Sequence, residues 1–394
     1  MFIGVTKLRL DMKNARIAYV ANVRMPTEKA HGIAITGQCD AFARLGAKIE
    51  LVVPDRKNEI EMDTFSYYDL GDTFGVSRLP CLDLVRFGKA GFLVETLTFS
   101  VSALFYLRRS KAKIIYTRDE IVAFFLLFAL RKPVVVELHQ KKKNTIWMRY
   151  VLSRARGIVC ISESLRSYYV KQFNLSQERV IVEPSAVDGR RFLQMQDKNT
   201  ARANLNLPKD AFLVGYIGSI SAMGVEKGVA EVLGVFRLVC KEIPRAKLLV
   251  VGGSTSEIKQ LRTIANTNFG LNRDACIFRG RVKHAKVPEY LVASDVLMIH
   301  YKEDSPFHSP LKLYEYLASG TPVVACKTIE LNKALKAGVA KIIEQCNPQS
   351  FCDAIVEIEK NDTWKGSATK AQKLVVLEYT WEARARRLFE LVIK

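Results

Sequence analysis

Glu315 stands six residues after Ser309 in the stretch Ser309-Pro-Leu-Lys-Leu-Tyr-Glu-Tyr-Leu-Ala-Ser-Gly-Thr-Pro-Val-Val-Ala325, which reads as a loop, a short helix and an apolar strand. Pro310 suits the first helical turn and Gly320 the C-cap. The free amides at the start of such a helix, with its positive dipole end, suit a phosphate. Glu315 is then placed to accept from two hydroxyls of a ribose. The same pattern also describes an amphipathic helix with one solvated Glu.

A second segment, Val214-Gly-Tyr-Ile-Gly218-Ser-Ile-Ser-Ala-Met-Gly224-Val-Glu-Lys227-Gly228, reads as a strand, a glycine-containing loop and one lysine ahead of a helix. Glycines let a backbone approach a ligand, and Lys227 would neutralise a diphosphate. The spacing is not that of a Walker A loop, and an ordinary βα turn shares it.

These segments need a scaffold, and the apolar pattern supplies one. Buried-strand signals fall at 17–20, 49–53, 114–116, 134–137, 157–161 and 180–182, separated by helical or charged stretches, which is βαβ chemistry with a parallel sheet. A break comes at Glu183-Pro184-Ser185, and the polar stretch Gln194 to Arg202 reads as a linker. The rhythm restarts at 212–217, 247–251, 275–278, 296–300 and 322–325. The expected fold is α/β: two Rossmann-like domains facing each other across a cleft, residues 1–190 and 191–379. A last helix over 380–394, with Leu388, Leu391 and Val392 on one face, can pack back on the first domain.

With 394 residues, 49% apolar and 25% charged, the chain exceeds one small module and is neither collagen-like nor wholly disordered. The longest uninterrupted apolar run, Ile121 to Leu130, is short for a bilayer, and residues 1–14 lack a signal-peptide core. A cytoplasmic protein is therefore expected. The eight cysteines are scattered, with no Cys-x-x-Cys and no His at ligand spacing, and read as mostly buried thiols with no metal role. The net charge of +20 asks for anionic partners. Between Arg86 and Arg156 there are 15 Lys and Arg against four acids. Interleaved are Phe92, Leu93, Leu97, Phe99, Leu104, Phe105 and Leu107, followed by Lys141, Lys142, Lys143 and Trp147. This describes either a peripheral surface for an anionic membrane or a solvated basic face. No zinc-finger, RNP-type or helix-turn-helix signature points to nucleic acid.

Taken together, the segments resemble retaining glycosyltransferases of the two-Rossmann-domain (GT-B) type, family 4-like, group 1. The likeness runs from about Arg16 to the C-terminus. It is carried by Asn22 to Gly32, Tyr116-Thr-Arg-Asp119, Val136-Glu-Leu-His139, Val159 to Leu165, Pro184-Ser-Ala-Val-Asp188 with Phe192, Gly218 to Gly228, Phe278-Arg-Gly-Arg-Val282, Ala293-Ser-Asp295 and Ser309 to Ala325. The resemblance implies transfer of a sugar from a nucleoside-diphosphate sugar, with retention and without a required metal or other cofactor. It also implies roles. Glu315 matches the second carboxylate of a Glu-x7-Glu motif that binds the donor ribose, Lys227 the diphosphate cation, and Pro310 and Leu311 the loop beside it. Gly32 matches the first βα loop near donor phosphate and acceptor, and His139 a strand-end histidine beside the transferred sugar.

Two positions depart from the pattern. Phe307 replaces the first Glu of the motif, leaving neighbours such as His308 and Ser309 to meet the donor sugar. Ser219 stands where an Arg commonly follows Gly218. The implied function is transfer to a lipid-linked or cell-envelope glycan acceptor by a cytoplasmic enzyme on the inner face of the membrane. A nucleotide-sugar epimerase of similar fold and a non-catalytic sugar-nucleotide-binding subunit are the alternatives.

Overall fold

The computed structural model describes residues 15–222, 225–226, 228–300, 311–327, 338 and 340–393. Tertiary contacts divide the chain into two units: one holds the described residues up to Ala186 together with the helix from Trp381, the other those from Val187 to Thr380.

The first unit is built on seven strands, β1 (Arg16–Val20), β2 (Lys48–Pro54), β3 (Gly75–Leu79), β4 (Ile114–Thr117), β5 (Val134–Leu138), β6 (Gly157–Cys160) and β7 (Val180–Val182). They are all parallel, in the order β3-β2-β1-β4-β5-β6-β7. Runs such as Val134-Val-Val136 are buried on both faces, as a sheet sandwiched between helices requires. This order sets the carboxyl ends of β1, β4 and β5 side by side. The residues that follow them, Asn22, Arg118 and His139, are thereby gathered at one place on the sheet.

The second unit has a six-stranded sheet in the order β12-β11-β8-β13-β14-β15 and a small antiparallel pair, β9 (Ser221–Ala222) with β10 (Val225–Glu226). Its strands are β8 (Phe212–Ile217), β11 (Ala246–Val251), β12 (Cys276–Arg279), β13 (Val296–Ile299), β14 (Val323–Cys326) and β15 (Lys341–Ile343). Central β8 ends at Ile217, paired with Val251 at the end of β11, so Gly218 and Gly252 follow side by side. The helix Leu311–Ala318 precedes β14 and ends before Gly320, whose φ of +72° closes it in the left-handed form.

Four sequence expectations change. The stretch 194–202 is not a free linker: Lys198–Asn204 is a helix capped by Asp197, and the Arg202 guanidinium is buried, donating to the Ala293 carbonyl (2.9 Å) and Asp295 (2.5 Å). Cys326 and Cys346 are joined in a disulfide near His300, a grouping hidden in the sequence because it comes from three strand ends. With the sulfurs bonded to each other they are not thiolate ligands. The other six cysteines are free. The segment Val85–Arg109 is long and apolar enough to cross a membrane by length and composition, although Glu95 interrupts its apolar run. Its Phe99, Ala103 and Leu107 are buried in the core of the first unit, so one face is committed to the sheet. Phe99 and Leu107 thus leave the expected surface patch, while Phe92, Leu93, Leu97 and Phe105 remain exposed on it.

Candidate functional site

In the second unit the helix Leu311–Ala318 is fastened to the end of β8 by one side chain. The buried Tyr316 hydroxyl accepts from the Ile217 amide (2.7 Å) and donates to the Ile217 carbonyl (2.9 Å), so helix and strand end cannot slide past each other. Beside that joint, Lys312 lies over the Tyr216 ring at 4.6 Å, with its Nζ 3.3 Å from the Tyr216 hydroxyl. Its stem runs alongside Gly218: a Cβ built there would be 3.6 Å from Lys312 Cδ. Ser219 is exposed, its carbonyl accepting from Tyr216 at 3.0 Å. Lys312 therefore brings a cation to the strand end where Ser219 offers none, a compensation the sequence reading missed.

Glu315 does not stand in open solvent. His284 Nε2 donates to Glu315 Oε1 at 2.6 Å, and His284 Nδ1 faces the Arg191 guanidinium at 3.4 Å. Arg191 in turn lies 3.5 Å from Asp188. This chain fixes the Glu315 carboxylate in one orientation, with one oxygen committed to His284. Leu311 begins the helix, half-buried. Lys227, His308, Ser309, Pro310 and the motif position Phe307 lie outside the described residues.

In the first unit, His139 follows β5 and sits in a cluster of charges. Its Nε2 donates to Glu137 Oε1 at 2.7 Å, and its Nδ1 accepts from Arg118 at 2.9 Å. Glu137 Oε2 pairs with Arg384 from the C-terminal helix at 3.0 Å and accepts a short hydrogen bond from Tyr116. Arg384 is buried and also donates to Gln38 (2.6 Å) and to the Pro184 carbonyl (2.9 Å). Burial alone would push the Glu137 carboxyl up, but Arg384, His139 and Arg118 together hold it well below the usual range. Burial, then the Arg118 guanidinium, press the His139 imidazole down to about 4 against the pull of Glu137. The side chain is 30% exposed, which tempers the burial contribution, yet Arg118 acts in the same direction. His139 is neutral at pH 7, with both ring nitrogens occupied. Gly32 is accounted for by packing: a Cβ there would stand 2.0 Å from the Tyr68 hydroxyl, which closes the loop by bonding both backbone groups of Thr27. In the second unit the structure thus brings Gly218 and Ser219 to the helix that Leu311 begins, through Lys312, while Glu315 on that helix faces His284; Gly32 and His139 belong to the first unit.

His31 is pressed down to about 4 as well, by burial and then Arg118. For both histidines the unfolded chain binds protons from about pH 6.5 downward while the folded chain does not. Stability is thus expected to fall as pH drops from about 6.5 toward 4. Thermal midpoints across that range should decline less steeply in His139→Asn than in the wild type; equal slopes would show that His139 titrates normally.

The comparisons with known proteins bear on the family and the fold. Residues 33–191 match the family model described as Glycosyltransferase Family 4, and residues 211–361 the model described as Glycosyl transferases group 1. The chain is 24% identical over 245 residues to TuaH of Bacillus subtilis (strain 168), named for teichuronic acid biosynthesis, covering 60% of this chain and 57% of that one. The chain spans about half the length of the curated relatives it matches first. Among solved structures, sucrose-phosphate synthase from Thermosynechococcus elongatus superposes with a TM-score of 0.75 at 17% identity, over 96% of this chain and 98% of that one. Anabaena HepE in complex with UDP-glucose gives 0.70 at 16%, over 95% and 98%. With two family models spanning most of its length and the GT-B fold throughout, the chain belongs to the family 4, group 1 glycosyltransferases.

Proposed function

We propose that this glycosyltransferase moves a sugar from a nucleoside-diphosphate sugar to a lipid-linked or cell-envelope glycan acceptor, with retention of configuration and without a resident metal. The observation that carries the donor half of this reading is the Tyr316-fastened helix, which sets Lys312 beside Gly218 and carries Glu315, held by His284, one turn further on. As the glycosidic bond breaks, negative charge grows on the leaving diphosphate, and fixed cations and helix amides stabilise it without reorganisation. Lys312 and Lys227 are the cations assigned to that task, and Glu315 takes the ribose hydroxyls. His139, neutral and doubly bonded, cannot remove the acceptor's proton, so the leaving phosphate is left to accept it. A thermal-shift panel of nucleoside diphosphates and their sugars tests the donor half, because a ligand of the native state raises the midpoint by mass action. One nucleotide class is expected to raise it; a flat response across the panel sinks the reading.

The acceptor half rests on the first unit. Phe92, Leu93, Val94, Leu97, Val101 and Phe105 are exposed along Gly88–Arg109, and Lys89, Arg108 and Arg109 flank them. Apolar groups framed by cations fit an anionic bilayer surface, which supports a peripheral position on the cytoplasmic face, within reach of a lipid-linked acceptor. Lys142 belongs less to this surface, since it pairs with Glu120 at 3.1 Å. Phe92→Ser with Phe105→Ser is expected to reduce sedimentation with anionic liposomes several-fold and to spare turnover on a short water-soluble acceptor. Wild-type protein that ignores anionic liposomes at low salt would remove the membrane from this account.

A further inference from the structure

We propose that Arg118 is a substrate-contacting residue that binds a phosphate oxyanion, and that Arg384, Glu137 and His139 are positioning residues that aim it. Arg118 follows β4, whose carboxyl end lies between those of β1 and β5, the place where open α/β sheets receive ligands. A guanidinium carries five N–H donors. Among the described residues, Arg118 uses one on His139 Nδ1 at 2.9 Å, and its Nε stands 3.9 Å from Glu137. Its side chain is 15% exposed, so water satisfies the rest only in part. The charge is also incomplete. Among the described residues, Glu137 is the one carboxylate in contact with both guanidiniums, Arg118 and Arg384, while Glu183 is engaged by Arg387 at 2.8 Å. A half-buried cation sharing one carboxylate with a second cation is stabilised by an incoming anion, and a guanidinium fork matches phosphate geometry.

The other three residues act through geometry. Arg384 holds Glu137, Glu137 fixes the Nε2–H tautomer of His139, and the bare Nδ1 then accepts from Arg118 and sets its plane. The oxyanion belongs either to the donor diphosphate or to a phosphorylated acceptor. The inference rests on the glycosyltransfer reading only for that last assignment.

The test uses the full chain labelled with 15N-histidine, whose five histidines allow assignment by comparison with His139→Ala. Titration with inorganic phosphate and pyrophosphate is expected to shift the His139 ring signals saturably, and at least tenfold weaker in Arg118→Met, with Arg118→Lys intermediate. Glu137→Gln and Arg384→Met are expected to convert His139 to mixed tautomers, with Arg384→Lys restoring the single form. The inference is overturned by no saturable shift in the wild type, by an unchanged response in a folded Arg118→Met, or by an unaltered His139 tautomer in both positioning variants. In turnover assays Arg118→Met is expected to raise one Michaelis constant tenfold or more. A rise for the donor assigns the oxyanion to the diphosphate, a rise for a phosphorylated acceptor alone assigns it there, and no rise for either overturns the proposal. A wild type that shows the phosphate shifts yet transfers no sugar would defeat the functional reading and leave this site standing.

Discussion

Gly252→Ala is expected to lower stability by about 2–4 kcal/mol and to abolish nucleotide binding in the fraction that stays folded. Gly252 follows β11 with φ of +128°, a conformation that L side chains avoid. A Cβ there would stand 2.1 Å from the Gly218 carbonyl oxygen and 2.9 Å from its carbon. Both obstructing atoms are backbone, so nothing flexible can turn aside. The Gly252 amide is also held by the Arg279 and Gly280 carbonyls, each at 3.1 Å. The strain would therefore pass to Gly218 and to the loop beside Lys312. Chemical denaturation measures the stability loss; a change under about 1 kcal/mol would show that the strand ends are looser than described.

Glu315→Gln is expected to weaken nucleoside-diphosphate binding by about 10- to 100-fold, the usual effect of losing a charge-assisted hydrogen bond of about 1.5–3 kcal/mol. The substitution keeps shape and still lets His284 donate to the remaining carbonyl oxygen, so the Asp188–Arg191–His284 chain survives. Calorimetric titration with the diphosphate checks this, and a free phosphate control should be indifferent to the change. Unchanged affinity would remove Glu315 from the ribose site. An equal loss in His284→Ala would show that orientation of the carboxylate, as well as its charge, sets the affinity.

The central strands and the two-sheet architecture were legible because parallel sheets bury both faces and so write continuous apolar runs, as in Val134-Val-Val136 and Leu248-Leu-Val-Val251. Of the edge strands, Val180–Val182 and Cys276–Arg279 were legible and the other two were not. Gly75–Leu79 has a single buried residue and Lys341–Ile343 has one as well, so neither carries such a run. Glu315 could be proposed from local spacing, since a loop, a helix start and a carboxylate lie within one short stretch, and Gly218 from the strand and glycine-containing loop of its own segment. Lys312 sits in the same stretch, but its relation to Tyr216 and Gly218 depends on the Tyr316 joint, nearly a hundred positions away in sequence from Ile217. Arg384 and Glu137 escaped for a similar reason: only the return of the C-terminal helix to the first unit brings them together. Arg118 lies within Tyr116 to Asp119, yet its bond to His139 and its nearness to Glu137 join two strand ends and are not written in that local stretch.

The most direct test measures nucleoside-diphosphate release from the matched donor sugar, with and without a lipid-linked glycan acceptor in anionic vesicles. Release is expected to depend on the acceptor, to equal the sugar incorporated and to fall sharply in Glu315→Gln. Donor binding with no release under any acceptor, or release of the same size without one, would contradict this expectation.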